Sequence, residues 1–192
     1  NCTFENNTAG LSGSYGGGGG LWIEETSHLR IENSVISNNS TNVQQAGGIM
    51  VQTSYRPVLT SVEITGNSGP VGGGLVLESC YKAEILNVTI ASNTSPVGSG
   101  MYFYGSSSEP RILNTIVQEN YSQSGILDDA SSIVLQSNIE SVIYYSNLDV
   151  GCIDGSDGSD ESSEVWVDQI GDTCSDYAAG GGSVEGYAYS GN

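Results

Sequence analysis

The heptapeptide Asn87-Val88-Thr89-Ile90-Ala91-Ser92-Asn93 has the form Asn-x-x-apolar-x-x-Asn, and the chain repeats it. Copies stand at residues 1–7, 33–39, 61–67 and 114–120, with a weaker copy at 141–147. The closing asparagines are Asn7, Asn39, Asn67, Asn93, Asn120 and Asn147, at steps of 32, 28, 26, 27 and 27 residues. A period in this range belongs to stacked repeats, in which each unit buries its apolar face only against its neighbours.

A second signal keeps phase with the first. Gly followed by apolar-x-apolar occurs at Gly20-Leu21-Trp22-Ile23, Gly48-Ile49-Met50-Val51, Gly74-Leu75-Val76-Leu77 and Gly100-Met101-Tyr102-Phe103, with a degraded copy at Gly125-Ile126-Leu127-Asp128. A third, fainter segment precedes each Asn motif, as in Leu29-Arg30-Ile31 and Arg111-Ile112-Leu113. Period-two alternation broken by Gly, Asn, Ser and Pro predicts strands, and no useful length has helical spacing. Three strands per period predict an all-β parallel β-helix, right-handed by the general preference of parallel crossovers. The reading is about six three-strand coils over residues 1–150, stacked at about 4.8 Å, followed by an irregular acidic tail, 151–192.

The predicted inward columns place like on like. One holds Cys2, Ser34, Val62, Val88, Thr115 and Val142 beside Phe4, Ile36, Ile64, Ile90, Val117 and Tyr144. The other holds Leu21, Ile49, Leu75, Met101 and Ile126 beside Ile23, Val51, Leu77 and Phe103. The closing asparagines are expected at turns, where Asn tolerates left-handed backbone angles, and in register as an amide ladder along the axis. The leading Gly fits a corner that a Cβ would obstruct.

Phe4-Glu5-Asn6-Asn7 is a literal F-x-x-N, and Gly47-Gly48-Ile49 and Gly73-Gly74-Leu75 are G-G-apolar. Paired repeats of this kind resemble the β-helical passenger repeats of polymorphic outer-membrane proteins and related bacterial surface proteins. The resemblance covers residues 1–150. It implies a right-handed β-helix of the pectate-lyase-like superfamily at a cell surface, and it is poor for function, because this fold hosts lyases, adhesins and stalks alike.

The formal charge is −18, from 22 acidic residues against one Lys and three Arg. Nucleic acid is an unsuitable partner, since phosphate binding needs a basic face. No apolar run approaches the length of a transmembrane helix, so membrane insertion is not expected. The chain opens inside a repeat without a cap or leader, which implies a segment of something longer or a first coil that stacks on a partner. An acidic, Lys-poor composition suits an extracellular or cell-surface setting. Among the four cysteines, Cys152 and Cys174 bracket the tail and are the candidate disulfide, while the absence of a C-x-x-C argues against zinc. The sequons coincide with the Asn motif and read as turn chemistry.

Function in a solenoid belongs to outward positions. The outward column of the Gly-apolar strand is Trp22, Met50, Val76, Tyr102 and Leu127, beside Glu24, Gln52, Glu78, Tyr104 and Asp129. An apolar stripe on a rod is either covered by a loop or marks a contact surface, here a docking face for a copy of the same chain or a sugar platform of Trp22, Tyr102 and Tyr104. A catalytic cluster is not found. The basic residues read as scattered, His28 stands alone, and Asp128-Asp129 lacks the partner carboxyl that glycoside hydrolysis needs. No motif demands a cofactor. In the acidic Gly/Ser run, Asp154, Asp157, Asp160 and Glu161 are the candidate ligands for calcium, against the plainer reading of a solvated linker. The expected function is a non-catalytic structural or adhesive module, self-assembling end to end into a filament or surface structure. The alternative is a carbohydrate-binding or polysaccharide-cleaving module.

Overall fold

The computed structural model describes residues 1–10, 18–42, 46–106, 110–122, 133–135, 142–144, 147–148 and 152–154. Its elements are strands. One sheet holds, in chain order, β3 (Leu21–Glu24), β6 (Ile49–Gln52), β8 (Leu75–Glu78), β11 (Met101–Tyr104), β14 (Ile133–Leu135) and β17 (Cys152–Asp154), each paired with the next. A second sheet holds β1 (Thr3–Glu5), β4 (Arg30–Ser37), β7 (Val58–Thr65), β9 (Glu84–Leu86), β10 (Thr89–Ala91), β12 (Arg111–Leu113), β13 (Ile116–Gln118), β15 (Val142–Tyr144) and β16 (Asn147–Leu148). Two short strands, β2 (Thr8–Ala9) and β5 (Ser40–Thr41), pair separately. All these pairings are parallel, and neighbours in a sheet belong to successive coils. This is the parallel β-helix that the period demands.

β4 and β7 each run through two faces of the coil, bending at Asn33 and Ser61 in left-handed conformation, with φ of 48° and 53°. At the same bend in later coils, Asn87 and Asn114 divide the path into β9 and β10, then β12 and β13. A second left-handed row is Asn6, Asn38, Gly66, Ser92 and Glu119. The closing asparagines therefore lie one residue beyond the turn rather than at it.

Like stacks on like inside. Ile36, Ile64, Ile90 and Val117 are aligned by register and fully buried, as are Ile49, Leu75 and Met101. Val51, Leu77 and Phe103 form the adjacent row. Each such side chain contributes about 1.5–3 kcal/mol by leaving water. Cys2 departs from the expected inward column, being exposed, with its N–H donating to Ser34 Oγ at 3.2 Å.

Register departs from the expectation after residue 120. Val142 is opposite Arg111 rather than in the Thr115 row, and Tyr144 is opposite Leu113. The strand beside β11 is Ile133–Leu135, not the segment at Ile126. The cause is loop length: the step from Ile116 to its partner Asn147 is 31 residues, and from Met101 to Ile133 it is 32. A fixed period of 27 falls four and five residues short of these steps and so sets these strands opposite the wrong partners.

Candidate binding surface

An asparagine ladder ties successive coils together along the axis. Asn39, Asn67 and Asn93 are fully buried. In each, the backbone N–H and Nδ2 both donate to Oδ1 of the asparagine one coil on, at 2.9 and 3.0 Å from Asn39 to Asn67, the same from Asn67 to Asn93, and 3.0 and 3.1 Å from Asn93 to Asn120. The second Nδ2 hydrogen goes one coil back, from Asn67 to the Ile36 carbonyl at 2.9 Å and from Asn93 to that of Ile64 at 2.9 Å. Asn7 begins the series by donating to Asn39 Oδ1. The backbone of Asn147 pairs with Ile116, out of register with Asn120.

The outward stripe is mostly covered. Trp22 is 47% exposed, whereas Met50 and Val76 are fully buried with Ala46. The segment before each strand folds back over it: a Cβ on Gly72 would fall 1.9 Å from Val76 Cγ2, and one on Gly98 would fall 2.7 Å from Tyr102 Cβ. Met50 and Val76 thus present no docking face, because small residues let the chain close over them. Tyr102 and Tyr104 are half-buried and stacked, with ring centres 5.0 Å apart. Glu78 stands in register with Tyr104, and its buried Oε2 has no hydrogen-bond partner. Leu127 and Asp129 lie outside the described residues, and Val134 holds the position beside Tyr102.

A different edge collects the cations. Between the two main sheets, Ser27, Tyr55 and Tyr81 form a row of parallel bridges. The rings of Tyr55 and Tyr81 stack with centres 5.3 Å apart and planes 16° apart, and both are exposed. The next residue in each coil is His28, Arg56 and Lys82, all left-handed, with φ of 58°, 53° and 51°. His28 N–H donates to the Tyr55 carbonyl and Arg56 N–H to that of Tyr81, each at 2.8 Å, which holds the row in line. The His28 ring meets Tyr55 edge-on at 5.9 Å, and Lys82 Nζ is 5.2 Å from the centre of the Tyr81 ring. Arg30 and Arg111 stand just beyond, in ion pairs with Glu32 at 3.2 Å and Glu84 at 3.7 Å. All four Lys and Arg residues and the single His therefore lie along one edge. They are not scattered. The signal was present as spacing, since His28, Arg56 and Lys82 recur at 28 and 26 residues, the steps of Gly20, Gly48 and Gly74.

Of the tail residues, Cys152 and Asp154 belong to β17, where their backbones pair with Ile133 and Leu135. Asp157, Asp160, Glu161 and Cys174 lie outside the described residues. Among the described residues, no group of three or more His, Cys, Asp or Glu is placed to hold a metal ion. Cys80 is buried, its Sγ donating to the carbonyls of Val51 at 3.4 Å and Glu78 at 3.5 Å. Burial pushes its thiol up from 9.0 to about 11, which leaves no thiolate for chemistry near neutrality. A groove on another edge is lined by Thr41, Ser68, Pro70, Thr94 and Pro96 and carries no charged side chain.

Residues 1–154 match the family described as right handed beta helix region. The chain belongs to that family. Handedness, which no single residue reveals, enters with the match. No curated protein and no solved structure matches this β-helix. Among the described residues, no helix is long and apolar enough to cross a membrane.

Proposed function

We propose that this β-helix is a non-catalytic extracellular module, structural or adhesive, that works by holding a surface rigid and displaying it. Its F-x-x-N and G-G-apolar repeats resemble those of the passenger segments of polymorphic outer-membrane proteins. The observation that carries the reading is the use made of buried polar groups. Asn39, Asn67, Asn93 and Asn120 are spent on bonds along the axis. The exposed polar and aromatic groups, by contrast, recur coil after coil in straight rows. Such rows suit an extended partner, another copy of the chain or a glycan, better than a single reacting bond.

The test is retention against turnover. Purified protein is passed over immobilised cell-surface polysaccharides, and the eluate is analysed for shortened chains. Light scattering and electron microscopy with and without Ca²⁺ follow the association state. Retention with intact polysaccharide, or ordered filaments, supports display. Release of shortened chains overturns it in favour of the second reading, a polysaccharide-cleaving module. That reading is favoured by the exposed Trp22, the Tyr102–Tyr104 stack and the unpartnered Glu78 oxygen.

A further inference from the structure

We infer that Asn6, Asn38 and Asn87 are acceptors for N-linked oligosaccharide, and that the fold closes three further sequons to it. The inference rests on the extracellular setting of the display reading and adds a covalent modification. Asn-x-Ser/Thr stands at Asn1, Asn6, Asn38, Asn39, Asn87, Asn93 and Asn120. Such a sequon carries a glycan where it lies on the surface of a secreted chain. The letters do not separate the seven; burial does. Asn39, Asn93 and Asn120 are at most 1% exposed. Asn39 spends both Nδ2 hydrogens, on the Phe4 carbonyl at 2.9 Å and on Asn67 Oδ1 at 3.0 Å. Asn93 spends its pair in the same way, on the Ile64 carbonyl and Asn120 Oδ1. A glycan replaces one of these hydrogens with a sugar ring, and coils about 4.8 Å apart leave no room for one.

Asn6, Asn38 and Asn87 are exposed, at corners of the coil, with φ of 56°, 54° and 53°. Among the described residues no hydrogen bond ties down the Nδ2 of any of the three. Asn87 Oδ1 accepts from Asn114 Nδ2 at 2.6 Å, and a glycosylated amide keeps its oxygen, so that bond survives. Asn38 and Asn39 make the sharpest contrast, being adjacent, both sequons, one open and one closed. Position adds a consequence. Asn87 leads into β10 at one corner, and Asn6 and Asn38 follow β1 and β4 at the other. Glycans there bracket this one face and leave the Trp22 sheet and the Tyr55 edge uncovered. In the transfer, Nδ2 attacks C1 of a sugar carried on a lipid diphosphate, the donor that a host secretory pathway supplies. The N–C1 bond forms and the C1–O bond breaks. The diphosphate leaves with the electron pair, and the amide proton goes to a base of the host transferase.

The test uses the full 192-residue chain, secreted from cultured eukaryotic cells behind a cleavable leader. The folded, protease-resistant protein is treated with peptide N-glycosidase in water labelled with heavy oxygen. The enzyme leaves a labelled Asp at each occupied Asn, and peptide mass spectrometry reads the positions. Label is expected at Asn6, Asn38 and Asn87, and none at Asn39, Asn93 or Asn120. Asn38→Asp and Asn87→Asp remove one sequon each, and Asp tolerates the left-handed backbone there. Each variant is expected to lose one glycan and, after deglycosylation, to melt with the parent. Should the chain stay inside the cell, the protease-resistant intracellular fraction gives the same reading. The inference is overturned if Asn38 and Asn87 stay bare while another sequon protein from the same cells is modified. It is equally overturned if folded protein carries a glycan on Asn39, Asn93 or Asn120. Occupied sites together with release of shortened polysaccharide would sink the display reading and keep this inference. Bare sites with retention intact would do the reverse.

Discussion

The rung is the unit on which this molecule's stability turns. The Asn67 side chain gives two hydrogens and takes two: its Oδ1 accepts from Asn39 N–H and Nδ2, and its Nδ2 donates to Ile36 O and Asn93 Oδ1. Asn67→Ala would strand the buried Asn39 donors, at a cost of about 1–3 kcal/mol for each group left unsatisfied. We expect a total loss of about 3–5 kcal/mol on that scale, against less than about 1 kcal/mol for Asn7→Ala, whose side chain is exposed. Denaturant unfolding of the two variants measures both. Cys80 gives a second residue-level expectation. Its folded-state thiol titrates near 11, above the ordinary 9.0. The stability this contributes is whole below pH 9.0 and is lost as pH rises through about 11, because the unfolded chain releases the proton first. Thermal melts at rising pH should show a drop that Cys80→Ala lacks. At neutral pH a maleimide should label the exposed Cys2 and leave Cys80 until the chain unfolds.

At the scale of the strand, the glycine that opens each Gly-apolar segment is explained by its neighbour rather than by its own backbone angles. A Cβ on Gly74 would lie 2.6 Å from the carbonyl oxygen of Gly100 and 3.0 Å from Asn93 Nδ2. Gly74→Ala therefore forces two coils apart at the ladder, and a loss of about 1–3 kcal/mol or more is expected in the same denaturant assay. The strand is also the scale at which the sequence is most readable and where its legibility ends. Ile36, Ile64, Ile90 and Val117 stand at near-constant steps, so their stacking is visible in the letters. Gly125-Ile126-Leu127 imitates the pattern, yet the sheet continues through Ile133-Val134-Leu135, which has no leading Gly. Apolar alternation identifies a strand but not which neighbour it meets when loops change length. The surface was less legible for a different reason. Burial of Met50 and Val76 depends on a loop folding back over its own strand, which alternation does not encode. The row of His28, Arg56 and Lys82 was encoded, but in the spacing of charges rather than of apolar residues.

For the whole molecule, charge and topology govern behaviour together. A rod of net charge −18 repels itself, so added salt should raise the melting temperature. Contacts between residues about a coil apart dominate, and such non-local pairing folds slowly. The ladder has a further consequence. Asn67 and Asn93 each send the backbone N–H and one Nδ2 hydrogen one coil on and the other Nδ2 hydrogen one coil back, so the two sides of a rung differ. A cut between the coils of Asn67 and Asn93 would leave Asn67 N–H and Nδ2 with the Ile64 carbonyl on one broken face, and Asn93 Oδ1 and Nδ2 on the other. The β-helix is in this respect an arrow, and two such cut faces can extend one another's hydrogen bonding only when pointing the same way.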